Sequence, residues 1–186
     1  NEQIDPDGII RTLGLPCFVK PNDSGSSFGV SKVKNAGEFA DAISVALGES
    51  DEVVIESCMK GREVACGIVK TRSRKIILPV TEIISKNEFF DFDAKYKGQV
   101  QEITPARISD TLTSEVQRIT AEIYTILGCK GIVRIDYIIG AGEMIHLLEV
   151  NTTPGMTATS FIPQQVRAAG LDIKDVMTEI IENEIS

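Results

Sequence analysis

The sequence has 186 residues, 42% hydrophobic and 25% charged, with a formal net charge of −8. That is the composition of a globular chain, and its acidic balance argues against a broad nucleic-acid or anionic-membrane surface while leaving local basic pockets open. No apolar run is long enough to span a bilayer, no secretory leader is visible, and Cys17, Cys58, Cys66 and Cys129 form neither a CxxC pair nor a zinc spacing, which reads as buried thiols in a reducing cytoplasm.

Taken in order, the chain opens on a polar stretch at Asn1, and the first strong strand signal comes only at Cys17, so it is expected to be part of something longer. Asp5 to Leu13 reads as a short helix with Asp5 as N-cap and Pro6 at the first helical position, ended by Gly14. Cys17 to Lys20 reads as a strand stopped by Pro21. The following loop, Asn22 to Val30, is rich in Gly and Ser. Such a loop can turn backbone N–H groups toward an anion, with Lys20 supplying a charge, or can simply be a turn. It is not the common GxxxxGK[ST] phosphate loop.

Asn35 and Glu38 have the form of a capping box opening a helix to Leu47, with Phe39, Ala42, Ile43 and Ala46 as its apolar stripe. Strands are expected at Glu52–Ile55, Arg62–Lys70 and Lys75–Val80, joined as an antiparallel meander. Glu56 at a strand end and Glu63 after a glycine are candidate ligand contacts or surface carboxylates. Asn87 to Gly98 is aromatic and charged with no clean period, the pattern of a lid or binding loop, or of a loop tucked into a satellite core. Ser109 to Leu127 is the clearest helix, with Val116, Ile119, Ile123, Ile126 and Leu127 as its stripe and Gly128 behind it. Two short helices are expected at Ser160–Ala169 and Asp172–Glu184.

Between the long helix and these last two lies the stretch on which the chain is organised. Two β-branched runs flank Gly140-Ala141-Gly142, which reads as a hairpin with Ala141 and Gly142 as its turn. That register sets Arg134 opposite Glu149 and Asp136 opposite Leu147. Alternation then gathers Arg134, Asp136, Glu149 and Asn151 on one face. The other face carries Val133, Ile135, Tyr137, Ile139, Met144, His146, Leu148 and Val150. Two carboxylates and an amide oxygen are hard oxygen donors of the kind Mg²⁺ takes, and no Cys or His joins them. The alternative is an Arg134–Glu149 ion pair on a solvated face.

Several motifs in this order resemble one family. They are Phe18-Val19-Lys20-Pro21, Ser24-Gly25-Ser26-Ser27-Phe28-Gly29-Val30, Phe92-Asp93-Ala94-Lys95-Tyr96, Gly128-Cys129-Lys130-Gly131, Arg134-Ile135-Asp136 and Leu148-Glu149-Val150-Asn151-Thr152-Thr153-Pro154-Gly155-Met156-Thr157. Together they resemble the D-alanine–D-alanine ligase family of the ATP-grasp superfamily, over essentially the whole chain. The resemblance implies an α+β ATP-grasp fold, an antiparallel sheet with flanking helices plus part of a small α+β subdomain. Residues 1–57 would be the remaining part of the central subdomain and 58–186 the C-terminal domain, with ATP between the two. Family members are longer, and the N-terminal domain and the first part of the central one would be missing.

The resemblance also implies roles. ATP-dependent ligation of two D-alanines through an acyl phosphate, for peptidoglycan synthesis in the cytoplasm, is the implied reaction, with ATP and Mg²⁺ or Mn²⁺ as cofactors and a homodimer as the full-length state. Lys20, Ser26, Ser27 and Lys95 would meet the nucleotide phosphates. Glu56, Ser57, Cys58 and Met59 would form the adenine hinge, with Glu63 on the ribose. Asp136, Glu149 and Asn151 would be the metal ligands. Arg134 and the Gly155 N–H would stabilise the oxyanion, Ser26 and Tyr96 would form the lid's hydrogen-bonding set, and Ser160, with Gly155 and Tyr96, would bind the second D-alanine. Ser57 stands where many relatives have Lys, Cys58 where an aromatic is common, and Ser24 where some have Glu. A ligase with another acceptor, D-lactate or D-serine, and a non-catalytic nucleotide-binding module are the alternatives.

Overall fold

The computed structural model describes residues 4–23, 27–85 and 100–185. The chain divides into two compact units, Asn1–Met59 with Ser85–Val100, and Lys60–Ile84 with Gln101–Ser186.

The first unit starts with α1 (Pro6–Leu13), where the Asp5 side chain accepts from the Gly8 N–H at 3.0 Å, as the sequence suggested. Three antiparallel strands follow in the order β2-β1-β3: β1 (Cys17–Pro21), β2 (Ser31–Val33) and β3 (Val53–Ser57). Strand β1 alternates strictly, so Cys17 and Val19 face inward. They meet α2 (Phe39–Leu47), whose Phe39, Ala42, Ile43 and Ala46 form the buried stripe that was expected. The capping box is altered. Asn35 caps a short 3-10 turn by accepting from Gly37, and Glu38 takes the Lys34 N–H.

The second unit is a six-stranded antiparallel sheet. Its main path runs β7 (Val100–Ile103), β6 (Thr81–Ser85), β4 (Arg62–Lys70), β8 (Gly131–Ile139) and β9 (Ile145–Asn151), with β5 (Lys75–Ile77) paired to β4. Strand β4 lies at the centre, and residues 64–69 are buried on both faces. On one face, Val64, Cys66, Ile68, Val133, Ile135, Tyr137 and Ile139 meet α3 (Asp110–Ile126). On the other, Val69, Leu78, Ile162, Val166 and Val176 pack with α4 (Phe161–Ala168) and α5 (Ile173–Ile185).

Several expectations need correction. Lys75–Val80 is not one strand. β5 stops at Ile77 and β6 begins at Thr81. The long helix is found, but its buried row is Leu112, Val116, Thr120 and Tyr124, at intervals of four. Ile126 is 81% exposed and Leu127 also faces solvent. Thr120 and Tyr124, which do not read as apolar, complete the stripe because each hydroxyl finds its own hydrogen-bond partners. The Tyr137 and Thr120 hydroxyls meet at 2.8 Å, Thr120 donates to Val116 O, and the Tyr124 hydroxyl donates to Gly131 O. Of the cysteines, Cys17 and Cys66 are buried, whereas Cys58 and Cys129 are half-buried; burial pushes the Cys66 thiol up to about 12.

The hairpin forms with a different register. A 3-10 turn, Ala141–Glu143, replaces the two-residue loop, with Gly142 at φ 67° and Glu143 at φ 60°. Ile139 then pairs with Ile145 and Tyr137 with Leu147, but Asp136 pairs with Glu149 and Arg134 with Asn151. Leu148 is therefore the extra residue of a β-bulge. The longer loop shifts the register by one residue and the bulge by one more. Two such shifts preserve parity, so the polar set still shares a face. Met144 sits in the loop, 61% exposed, and His146 pairs with Ile138; Ile145 packs on the core in their place.

Gly67 is where the sheet must lack a side chain. A Cβ there would come within 2.6 Å of Gln165 Oε1 and Ile162 Cδ1, and 2.8 Å of Leu78 Cδ1. Gly67→Ala is expected to cost about 1–3 kcal/mol by overpacking the seam under α4, read as a lower urea midpoint at unchanged slope. Thr120→Val, which removes the acceptor of a buried tyrosine hydroxyl, is expected to cost about 1–3 kcal/mol, and more than Tyr137→Phe, which leaves Thr120 bonded to Val116 O.

Candidate functional site

The polar face of the β8–β9 pair is compact. Arg134 Nε and Nη2 donate to Asp136 Oδ1 and Oδ2 at 2.8 and 2.7 Å, a two-point pair between residues that are neighbours on one strand face. The Asn151 amide nitrogen donates to Asp136 Oδ2 at 3.1 Å and to Glu149 Oε1 at 3.0 Å. Arg134 Nη2 lies 3.8 Å from Glu149 Oε1, so the cross-strand ion pair exists but is secondary. The Phe161 ring lies 5.0 Å from the guanidinium carbon and covers it.

Burial dominates the electrostatics. It pushes the Asp136 carboxyl above the usual carboxylate range, against the hydrogen bonds and charge of Arg134, and Glu149 pushes the same way. Burial also opposes the Arg134 charge, but Asp136, Glu149 and Glu63 more than offset it, and the guanidinium stays charged. Among the described residues no group of three His, Cys, Asp or Glu gathers. The converging set is two carboxylates and a carboxamide, oxygen donors of the kind Mg²⁺ takes. The Asn151 nitrogen sits where both carboxylates point, and rotation of the amide exchanges that donor for an acceptor.

After β9 the chain turns through Pro154-Gly155 into a loop ending at Ser160. A Cβ at Gly155 would lie 2.9 Å from Ser160 Oγ, so these two predicted residues are adjacent. The Thr157 N–H donates to Ser160 Oγ at 3.2 Å, the two hydroxyls meet at 2.8 Å, and the Ser160 N–H donates to Thr157 O. Sequence reasoning missed three neighbours. Phe161 follows Ser160 into α4, Gln164 lies one turn on, and Glu102 stands on β7, a strand that was not anticipated. Gln164 donates to Glu102 and to Thr159 O. The spacing of Gln164 four residues after Ser160 on a short helix was the available signal.

In the first unit, Lys20 and Glu56 form an ion pair with each other on the β1–β3 face that also carries Phe18. Ser57 Oγ donates to Leu13 O, and the Cys58 N–H donates to Pro16 O, while Met59 is exposed. Ser27 has φ 61°, in the left-handed region. Glu63 lies in the second unit on the face of Arg134 and Asp136. Ser26, Lys95 and Tyr96 lie outside the described residues.

Against known proteins, residues 2–182 match the family model for the D-ala D-ala ligase C-terminus. The D-alanine–D-alanine ligase of Bacteroides fragilis is 62% identical over 98% of this chain, and that of Porphyromonas gingivalis is 55% identical over 97%. The chain spans 56% and 55% of their lengths. Among solved structures, the VanG D-Ala:D-Ser ligase of Enterococcus faecalis superposes with a TM-score of 0.82 at 33% identity, over 95% of this chain and 51% of that one. A D-alanine–D-alanine ligase of Bacillus anthracis complexed with ATP gives 0.77 at 32%, over 99% of this chain and 58% of that one. The α+β fold is thus the ATP-grasp fold of these ligases, and the chain belongs to the D-alanine–D-alanine ligase family, whose C-terminal region it represents.

Proposed function

We propose that the protein this chain comes from joins two D-alanines to D-alanyl-D-alanine at the expense of ATP, a step of peptidoglycan precursor synthesis in the cytoplasm. The observation that carries this reading is the convergence of Arg134, Asp136, Glu149 and Asn151 on one face of β8–β9, in a chain matched to the family along nearly its whole length. The D-alanine acceptor is favoured over D-serine because relatives named for D-alanine reach 62% identity, whereas the D-Ala:D-Ser ligase is 33% identical. Residues 1–57 are then the remainder of the central subdomain and 58–186 the C-terminal domain, and the full-length protein is a homodimer.

The first D-alanine's carboxylate attacks the γ-phosphorus of ATP, the bond to ADP breaks, and an acyl phosphate forms. The second D-alanine's amine attacks the acyl carbon, loses a proton, and phosphate departs. Lys20, Ser26, Ser27 and Lys95 hold the phosphates; Glu56 to Met59 and Glu63 hold the nucleoside. Asp136, Glu149 and Asn151 would hold Mg²⁺, which when bound neutralises charge on the transferring phosphoryl group. Arg134 and the Gly155 N–H stabilise the oxyanion of the tetrahedral intermediate, and Arg134 enters that role already charged and fixed by Asp136 and Phe161. Tyr96 and Ser26 close the site against water, which would hydrolyse the acyl phosphate. Ser160 receives the acceptor's carboxylate.

Glu149→Gln is expected to lower turnover most at limiting Mg²⁺ and to recover in part at saturating Mg²⁺. Rates across a Mg²⁺ titration check this, and wild-type rates at limiting metal would remove Glu149 from the ligand set. Arg134→Lys keeps the charge but loses the two-point pairing with Asp136; kcat is expected to fall by about 10²–10³ with the KM for ATP little changed. Calorimetric titration of this chain with ATP, with and without Mg²⁺, reports whether its own residues suffice to bind nucleotide.

A further inference from the structure

The loop from Met156 to Ser160 is exposed along Met156–Thr159, and it closes on itself through the Thr157–Ser160 bonds. Such local bonds shape the loop but do not fix where it stands on the sheet. Fastening comes from outside it. Both N–H bonds of the Gln164 amide are committed, one to Thr159 O at 2.7 Å and one to the Glu102 carboxylate. Both neighbours are acceptors, so the amide nitrogen, not the oxygen, must point there. Gln164 belongs to α4, and Glu102 to the edge strand β7, sixty-two positions away in sequence. The chain of contacts Glu102–Gln164–Thr159 therefore ties the loop to the sheet's far edge. Arg167 adds a second tie from the same helix, donating to Ala158 O at 3.0 Å. The Glu102 carboxylate is half-buried. Burial raises its pKa, opposed by the Gln164 amide and the nearby Arg134 charge, so the carboxylate belongs to the electrostatic surroundings of the site although it touches none of the predicted ligands.

We propose that Glu102 and Gln164 are positioning residues for the Met156–Ser160 loop and thereby set how tightly the acceptor amino acid is held by its carboxylate. This rests on the reading that Ser160 and Gly155 receive that carboxylate. Neither residue reaches the reacting atoms. Their effect falls on acceptor binding, not on phosphoryl transfer or nucleotide binding. A carboxylate held by a hydroxyl and a backbone N–H needs both donors in fixed places, and a loop free to drift loses that geometry.

Steady-state kinetics of the full-length ligase, with ATP and D-alanine varied separately, test this. Gln164→Met and Glu102→Leu are expected to raise the KM for the acceptor D-alanine about three- to tenfold, the worth of one hydrogen bond, with kcat and the KM for ATP within about twofold of wild type. Glu102→Gln still offers an amide oxygen to Gln164 and is expected to restore the acceptor KM. The double variant should be no worse than either single one, since the two act as one brace. An unmoved acceptor KM in the single variants, parallel rises in both KM values, or a Glu102→Gln enzyme as poor as Glu102→Leu would each overturn the brace. Failure of the wild-type enzyme to form the dipeptide from D-alanine and ATP would instead overturn the ligase reading beneath it.

Discussion

Asp136 is 5% exposed and would be costly to keep ionised without a partner. Arg134, two residues back on the same strand face, is that partner, and their two-point pairing lets a charged group stand inside the second unit. Removing one member of a buried pair typically costs about 3–5 kcal/mol, so neither residue is free to change alone. The rest of the site is arranged around this pair. Asn151 bridges from Asp136 to Glu149, Phe161 roofs the guanidinium, and α4 is held down by the absence of a side chain at Gly67. Stability and chemistry draw on the same charges here. The cation that neutralises Asp136 is also the one the proposed reaction needs.

The composition of this face was legible from the sequence, while its register was not. Alternation alone groups Arg134, Asp136, Glu149 and Asn151, because side-chain parity survives any even shift. Register depends on the turn, and Gly140-Ala141-Gly142 suggested a two-residue loop where the chain builds a 3-10 turn with Glu143 at positive φ. The bulge at Leu148 left no signal, since a leucine fits a regular strand equally well. The long helix tells the same story. Its existence was plain, but Thr120 and Tyr124 entered the core through hydroxyl partners on another element, which no helical period can reveal. Glu102 and Gln164 escaped for that reason too: each is an ordinary surface residue until the fold brings them together.

In the first unit, Lys20 and Glu56 were each expected to meet a nucleotide, and they meet each other. Both are partly solvated, and ion pairs of this kind contribute about 0–1 kcal/mol. A phosphate arriving at Lys20 would therefore displace Glu56 at small cost. The pair holds the lysine on the β1–β3 face, so the side chain's conformational freedom is already partly spent.

The bulge at Leu148 makes the two halves of β9 unequal in their tolerance of length change. Between Ile139 and Ile145 the chain is outboard of the bulge, so residues gained or lost in that turn alter only the tip of the hairpin. Between Glu149 and Asn151 a single insertion or deletion inverts the parity of what lies beyond it, sending Asn151 to the face occupied by Ile135 and Val150. Natural drift in loop length is thus admitted at one end of the strand and barred at the other. Leu148 is the exception within that half: it has no partner across the ladder, so its removal would erase the bulge and still leave Glu149 opposite Asp136 and Asn151 opposite Arg134.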